Sequence, residues 1–86
     1  MIRRIANHFG YETQRKKAIE ELGELKVELK RKQADREKTL DEICDVLIML
    51  LQLIYLYGFS WLEIIKHCIK KLRRTIYRMK IGYYDR

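Results

Sequence analysis

Thr39-Leu40-Asp41-Glu42-Ile43-Cys44-Asp45-Val46-Leu47-Ile48-Met49-Leu50-Leu51-Gln52-Leu53-Ile54-Tyr55-Leu56-Tyr57 contains the most apolar run of the chain and has the period of a helix. Leu40, Ile43, Leu47, Leu50 and Ile54 recur at steps of three and four residues, the spacing of one helix face. Glu42, Asp45, Met49 and Gln52 form the adjacent line. Beyond Asp45 nearly every side chain is apolar, so this helix needs cover on more than one side, more than a small chain supplies. A partner subunit is the economical answer. The greasiest run, Val46 to Tyr57, is interrupted by Gln52 and falls short of the roughly 20 residues that cross a bilayer.

Downstream, Gly58 supplies a stop. Ser60-Trp61-Leu62-Glu63 reads as a capping box, with Phe59 and Ile64 placed to form its hydrophobic staple. The next helix runs from about Trp61 to Lys80, with Trp61, Ile65, Cys68, Ile69, Leu72, Ile76 and Met79 as its apolar face and Lys and Arg elsewhere. Upstream, Arg31 to Lys38 reads as a turn. Before it, a helix from about Glu12 to Arg31 sets Ala18, Leu22, Leu25 and Leu29 on its packed face, with Lys17, Glu21, Glu24 and Glu28 alongside. Gly23, inside that helix, costs about 1 kcal/mol relative to alanine, for which close helix packing is the expected reason. Residues 1–10 form an arm or short helix, and residues 81–86 a tail. The expectation is one all-α domain over 1–86, with about three main helices and a bundle completed by dimerisation or higher oligomerisation.

The composition agrees: 86 residues, 48% hydrophobic, no proline. A lone domain of this size buries a modest core, which also favours assembly. Cys44 and Cys68 form no C-x-x-C motif and no disulfide framework; among apolar neighbours they read as buried thiols of a cytoplasmic protein. The N-terminus lacks the long apolar core of an export signal.

The net charge is +7, yet nine of the twelve acids lie between Glu20 and Asp45. Glu21 with Glu24, and Glu42 with Asp45, each place two carboxylates on one helix face. The like-charge pairs Glu20/Glu24, Glu24/Glu28 and Asp41/Asp45 each cost roughly 0.2–0.5 kcal/mol in an isolated helix. A solvated face explains one such pair; the local excess invites an oxygen-preferring counter-cation.

The run Gln14-x-x-Lys17-x-x-Glu20-Glu21-x-x-Glu24-Leu25, followed after a spacer by Asp41-Glu42-Ile43-Cys44-Asp45-Val46-Leu47-Ile48-Met49-Leu50, resembles the MazG-like family of all-α nucleoside triphosphate pyrophosphohydrolases, in particular its small phage-type members. The likeness covers roughly residues 8 to 58 and extends more loosely to the basic helix. It implies a hydrolase that cleaves a (d)NTP into the monophosphate and pyrophosphate, with Mg²⁺ or Mn²⁺ as cofactor. By the same carry-over Glu21, Glu24, Glu42 and Asp45 hold the metal and are the catalytic set, one of them positioning or deprotonating water. His8, Gln14, Lys17, Lys71 and Arg74 are the implied substrate contacts. The partners expected are the nucleoside triphosphate and further copies of the chain, as a homodimer or homotetramer, with no membrane and no nucleic acid.

Each of these residues also has a plainer reading. Lys17 can serve as an i,i+4 partner of Glu21. Lys30, Arg31, Lys32, Arg36 and Lys38 read as a solvated basic face, His8 as a surface histidine, and Trp61 as packing. From another class, a pI near 9.6 and a basic C-terminal helix fit a small nucleic-acid-binding or regulatory protein without catalysis. The acidic patch opposes that reading.

Overall fold

A computed structural model describes residues 1–82, which form four helices and no strand: α1 (Ile2–Phe9), α2 (Tyr11–Leu29), α3 (Arg36–Leu56) and α4 (Trp61–Lys80). Four replace the expected three because residues 2–9 form a full α-helix. Gly10 separates it from α2 at φ 85°, a conformation that costs a residue with a side chain far more than glycine. Most of the expected tail, 83–86, lies outside the described residues.

The turn between α2 and α3 is shorter than the sequence suggested. Asp35 begins α3 three residues early by accepting a hydrogen bond from the Lys38 amide at 3.1 Å, which satisfies one of the orphan donors of the first turn. The α4 start is as read: Ser60 Oγ accepts from the Glu63 amide at 3.1 Å, and the Glu63 carboxylate accepts from the Ser60 amide at 2.8 Å. Gly58 turns the chain at φ 77° between α3 and α4.

α2 and α3 form an antiparallel hairpin, and α1 packs on both. The faces that meet differ from those expected. α2 buries Gln14, Ala18, Glu21 and Glu28, while Leu22 and Leu29 stay exposed. α3 buries Val46, Met49 and Gln52, and leaves Leu40, Ile43, Leu47 and Leu50 exposed. Thus α3 is turned so that the line of Glu42, Met49 and Gln52 faces α2, and its greasier side looks outward. The seam is tied by Gln14 Nε2 donating to Gln52 Oε1 at 2.6 Å, with Gln52 Nε2 resting on Met49 Sδ at 3.7 Å. At the far end, Tyr55 donates to Asn7 Oδ1 at 2.9 Å and Tyr11 to Tyr57 at 2.8 Å. The Tyr57 bond also pushes the Tyr11 phenol above its ordinary pKa.

α4 packs against none of the other helices and buries no residue. The apolar face expected to be core is therefore uncovered, and Cys44 and Cys68, expected to be buried, are both exposed. The radius of gyration is 16.2 Å, against about 12 Å for a compact domain of this length. A Cβ added at Gly23 would meet nothing within 4 Å, so close helix packing is not its reason and the fold gives no other. No single described helix is long and apolar enough to cross a membrane.

Gln52→Leu leaves the Gln14 amide buried without a partner and should cost about 1–3 kcal/mol in denaturant unfolding, whereas Gln14→Leu/Gln52→Leu together should recover most of the loss. A double variant no more stable than the single one would show that the amide bond does not set the seam.

Candidate metal centre

The α2/α3 hairpin brings acids of both helices together. One ligand oxygen from each of Glu21, Glu24 and Glu42 lies within 4.8 Å of the others. Burial is graded across the group: Glu21 is only 7% exposed, Glu42 is half-buried and Glu24 is exposed. Three like charges at that separation, one of them removed from water, are unfavourable without compensation.

The compensation inside the chain is partial. Lys17 Nζ lies 3.2 Å from Glu21 Oε1 and 3.6 Å from Glu20. The Glu21 bond, followed by the charges of Glu20, Glu21 and Glu24, holds the Lys17 ammonium above its ordinary pKa. Glu21 Oε2 and Glu42 Oε2, by contrast, are buried with no hydrogen-bond partner. The carboxyl pKa of Glu24 is raised above its ordinary value, first by the close approach of the Glu21 carboxyl, with which a hydrogen bond forms only if one of the two is protonated, then by the charge of Glu21, by desolvation, and by the charges of Glu42 and Glu20. These facts agree, because ionised carboxylates only accept. The Glu21/Glu24 contact is a hydrogen bond when one acid carries a proton and a repulsion when neither does.

Beside the acids lies an open groove of about 360 Å³ lined by Glu24, Val27, Glu28, Arg31, Lys38 and Glu42. Glu28 is buried, with Oε2 held by Arg31 Nε at 3.2 Å and Oε1 unpartnered. Sequence reasoning put Arg31 and Lys38 on a solvated face, and both are exposed, yet they border this groove together with Glu24 and Glu42. The signal that finds Lys38 is Asp35: once it is taken as the cap, Lys38 falls in the first turn of α3, opposite the end of α2.

The remaining sequence candidates disperse. Asp45, one turn beyond Glu42, is exposed and outside the three-acid group. Gln14 is committed to Gln52 in the seam. His8 is exposed on α1 against the Phe9 ring. Lys71 and Arg74 border a small cleft on α4 with His67 and Lys70, on a helix that touches neither α2 nor α3.

The donor set is all oxygen, which suits a hard divalent cation. No protein-family model, curated protein or solved structure matches the chain.

Because the folded state raises the Glu24 pKa, the stability this group contributes is present below its unfolded value and is lost as pH rises through the folded one. A cation binds the deprotonated form and reverses that loss. Mg²⁺ or Mn²⁺ should therefore raise the melting temperature near neutral pH, and the rise should shrink as the pH is lowered and the carboxylates take up protons. Identical melting curves in EDTA and saturating Mg²⁺ at neutral pH would remove the metal centre.

Proposed function

We propose that the chain is a Mg²⁺-dependent nucleoside triphosphate pyrophosphohydrolase, as the MazG-like resemblance implies, acting as a homo-oligomer. The observation that carries the reading is the convergence of Glu21, Glu24 and Glu42 from two helices, with buried, unpartnered oxygens on Glu21 and Glu42. An orphaned carboxylate oxygen is costly unless something positive reaches it. When bound, the cation offsets charge on the phosphoryl oxygens and lowers the pKa of water.

The chain's own residues supply the rest. Glu21, Glu24 and Glu42 hold the ion, and Lys38 and Arg31 bind phosphate oxygens along the groove. A water oxygen attacks the α-phosphorus, the bond to the bridging oxygen of the β-phosphate breaks, and pyrophosphate leaves. The water proton passes to one of the carboxylates of the cluster. Asp45 enters this set through the resemblance rather than through position.

A second reading keeps one observation in its favour. α4 carries seven Lys and Arg against Glu63 alone, a net +6 of the chain's +7, and stands apart from the other helices, as a polyanion-binding helix would.

The test is a panel of canonical and modified (d)NTPs with Mg²⁺, products resolved as mono- or diphosphate. Pyrophosphate and monophosphate in equal amounts are expected. Glu21→Gln and Glu42→Gln should each lower turnover at least about a hundredfold with helicity kept, on the scale of losing a metal ligand or its support, while Glu37→Gln leaves it nearly unchanged. Asp45→Asn separates the two sources of its assignment, since geometry predicts a retained metal-dependent melting shift and the resemblance predicts lost turnover. Absent turnover combined with salt-sensitive DNA retention would transfer the function to α4.

A further inference from the structure

Two apolar faces of this chain are left uncovered. One is the outer side of α3, where Ile43, Leu47, Ile48 and Leu50 are each 42 to 52% exposed. The other is the stripe of α4, where Trp61, Ile65, Ile69, Leu72 and Ile76 are 43 to 62% exposed. Contiguous apolar surface on this scale marks an interface rather than a solvated face. Within one chain the two do not meet: α4 departs from α3 at a bend of 119° across Gly58 and makes no contact with it.

We infer that α4 is an arm exchanged between two copies of the chain, its stripe laid on the outer face of the partner's α3 while the partner's α4 does the same in return. Three features of the chain support this. The helices match in length, 21 residues in α3 and 20 in α4, so one covers the other end to end. Their charges are of opposite sign: α4 is +6, whereas α3 carries Glu37, Asp41, Glu42 and Asp45 against Arg36 and Lys38, a net of −2, with Glu37, Asp41 and Asp45 exposed. The exchange is also reciprocal, so a single twofold axis buries both faces and closes the assembly without leaving either patch bare. A membrane surface would satisfy the basic amphipathic α4 but leave the outer side of α3 in water. The exchange rests on the homo-oligomeric part of the proposed function and on none of its chemistry.

Cys44 lies on the outer side of α3 between Leu40 and Leu47, and Cys68 lies in the α4 stripe; both are exposed thiols. Full-length chains in ¹⁴N and ¹⁵N form are mixed and treated with a bismaleimide whose reach matches the ~8–10 Å between packed helix axes. The expected product joins Cys44 of one isotope to Cys68 of the other. Leu72→Glu should convert the oligomer to a monomer in sedimentation with helicity unchanged, because α4 supports no other helix in its own chain. The metal-dependent melting shift should survive in that variant, since the acid cluster lies within one chain. A wild-type monomer, an oligomer of Leu72→Glu, Cys44 joined to Cys44, or Cys44 joined to Cys68 of the same chain would each overturn the exchange. Cross-linking as expected with no metal shift in either protein would leave the exchange standing and remove the metal centre.

Discussion

The hydrogen bond from Gln14 to Gln52 fixes which side of α3 faces α2, and the rest of the structure follows from that choice. A buried amide has to be paired, and α2 offers one partner at one height. Glu24 lies ten residues after Gln14 and Glu42 ten residues before Gln52, so in an antiparallel hairpin the register that pairs the amides also sets these acids opposite each other. Glu21, one turn before Glu24, is carried into the seam. The carboxylate cluster is thus a consequence of the same register that closes the hairpin.

That arrangement is costly by ordinary folding criteria. Glu21 and Glu28 occupy positions a stable hairpin would give to leucine, while Leu22, Leu29, Leu40 and Leu47 face water. A polar seam and a greasy exterior make sense together when the seam holds a charged ligand and the exterior meets another copy of the chain. On this view the weak core of one chain and the unpacked α4 have one cause, since both helix faces needed to complete the bundle are displayed for association. Small chains bury too little surface alone, which leaves assembly as their usual source of stability.

Parts of this were legible in the sequence because their causes are local. The capping box at Ser60 and Glu63 needs four residues and gave the start of α4 correctly. The i,i+3 spacing of Glu21 and Glu24 placed them on one face, and their opposition to Glu42 followed from two helices joined by a short turn. The facing of α3 was not legible. Its apolar residues surround the helix on most sides, so periodicity marks the greasiest face, which here is the one a single chain leaves uncovered. The α4 pattern likewise announces a partner without saying whether it belongs to the same chain, and so Cys68 and Leu72 were assigned to a core that α4 does not form. Lys38 was missed at the groove because α3 begins three residues before the expected Thr39, and Arg31 because nothing local ties a turn residue to the acids of the facing helix.

The proposed function requires that Glu21, Glu24 and Glu42 together would hold a divalent cation. Anomalous diffraction at the manganese edge from crystals grown with Mn²⁺ tests this without reference to any substrate. The predicted result is a peak between the three carboxylates, within bonding distance of the Glu21 and Glu42 oxygens that otherwise have no partner. Crystals in saturating Mn²⁺ with no peak there, and with Glu21 and Glu24 instead joined by a shared proton, would contradict it.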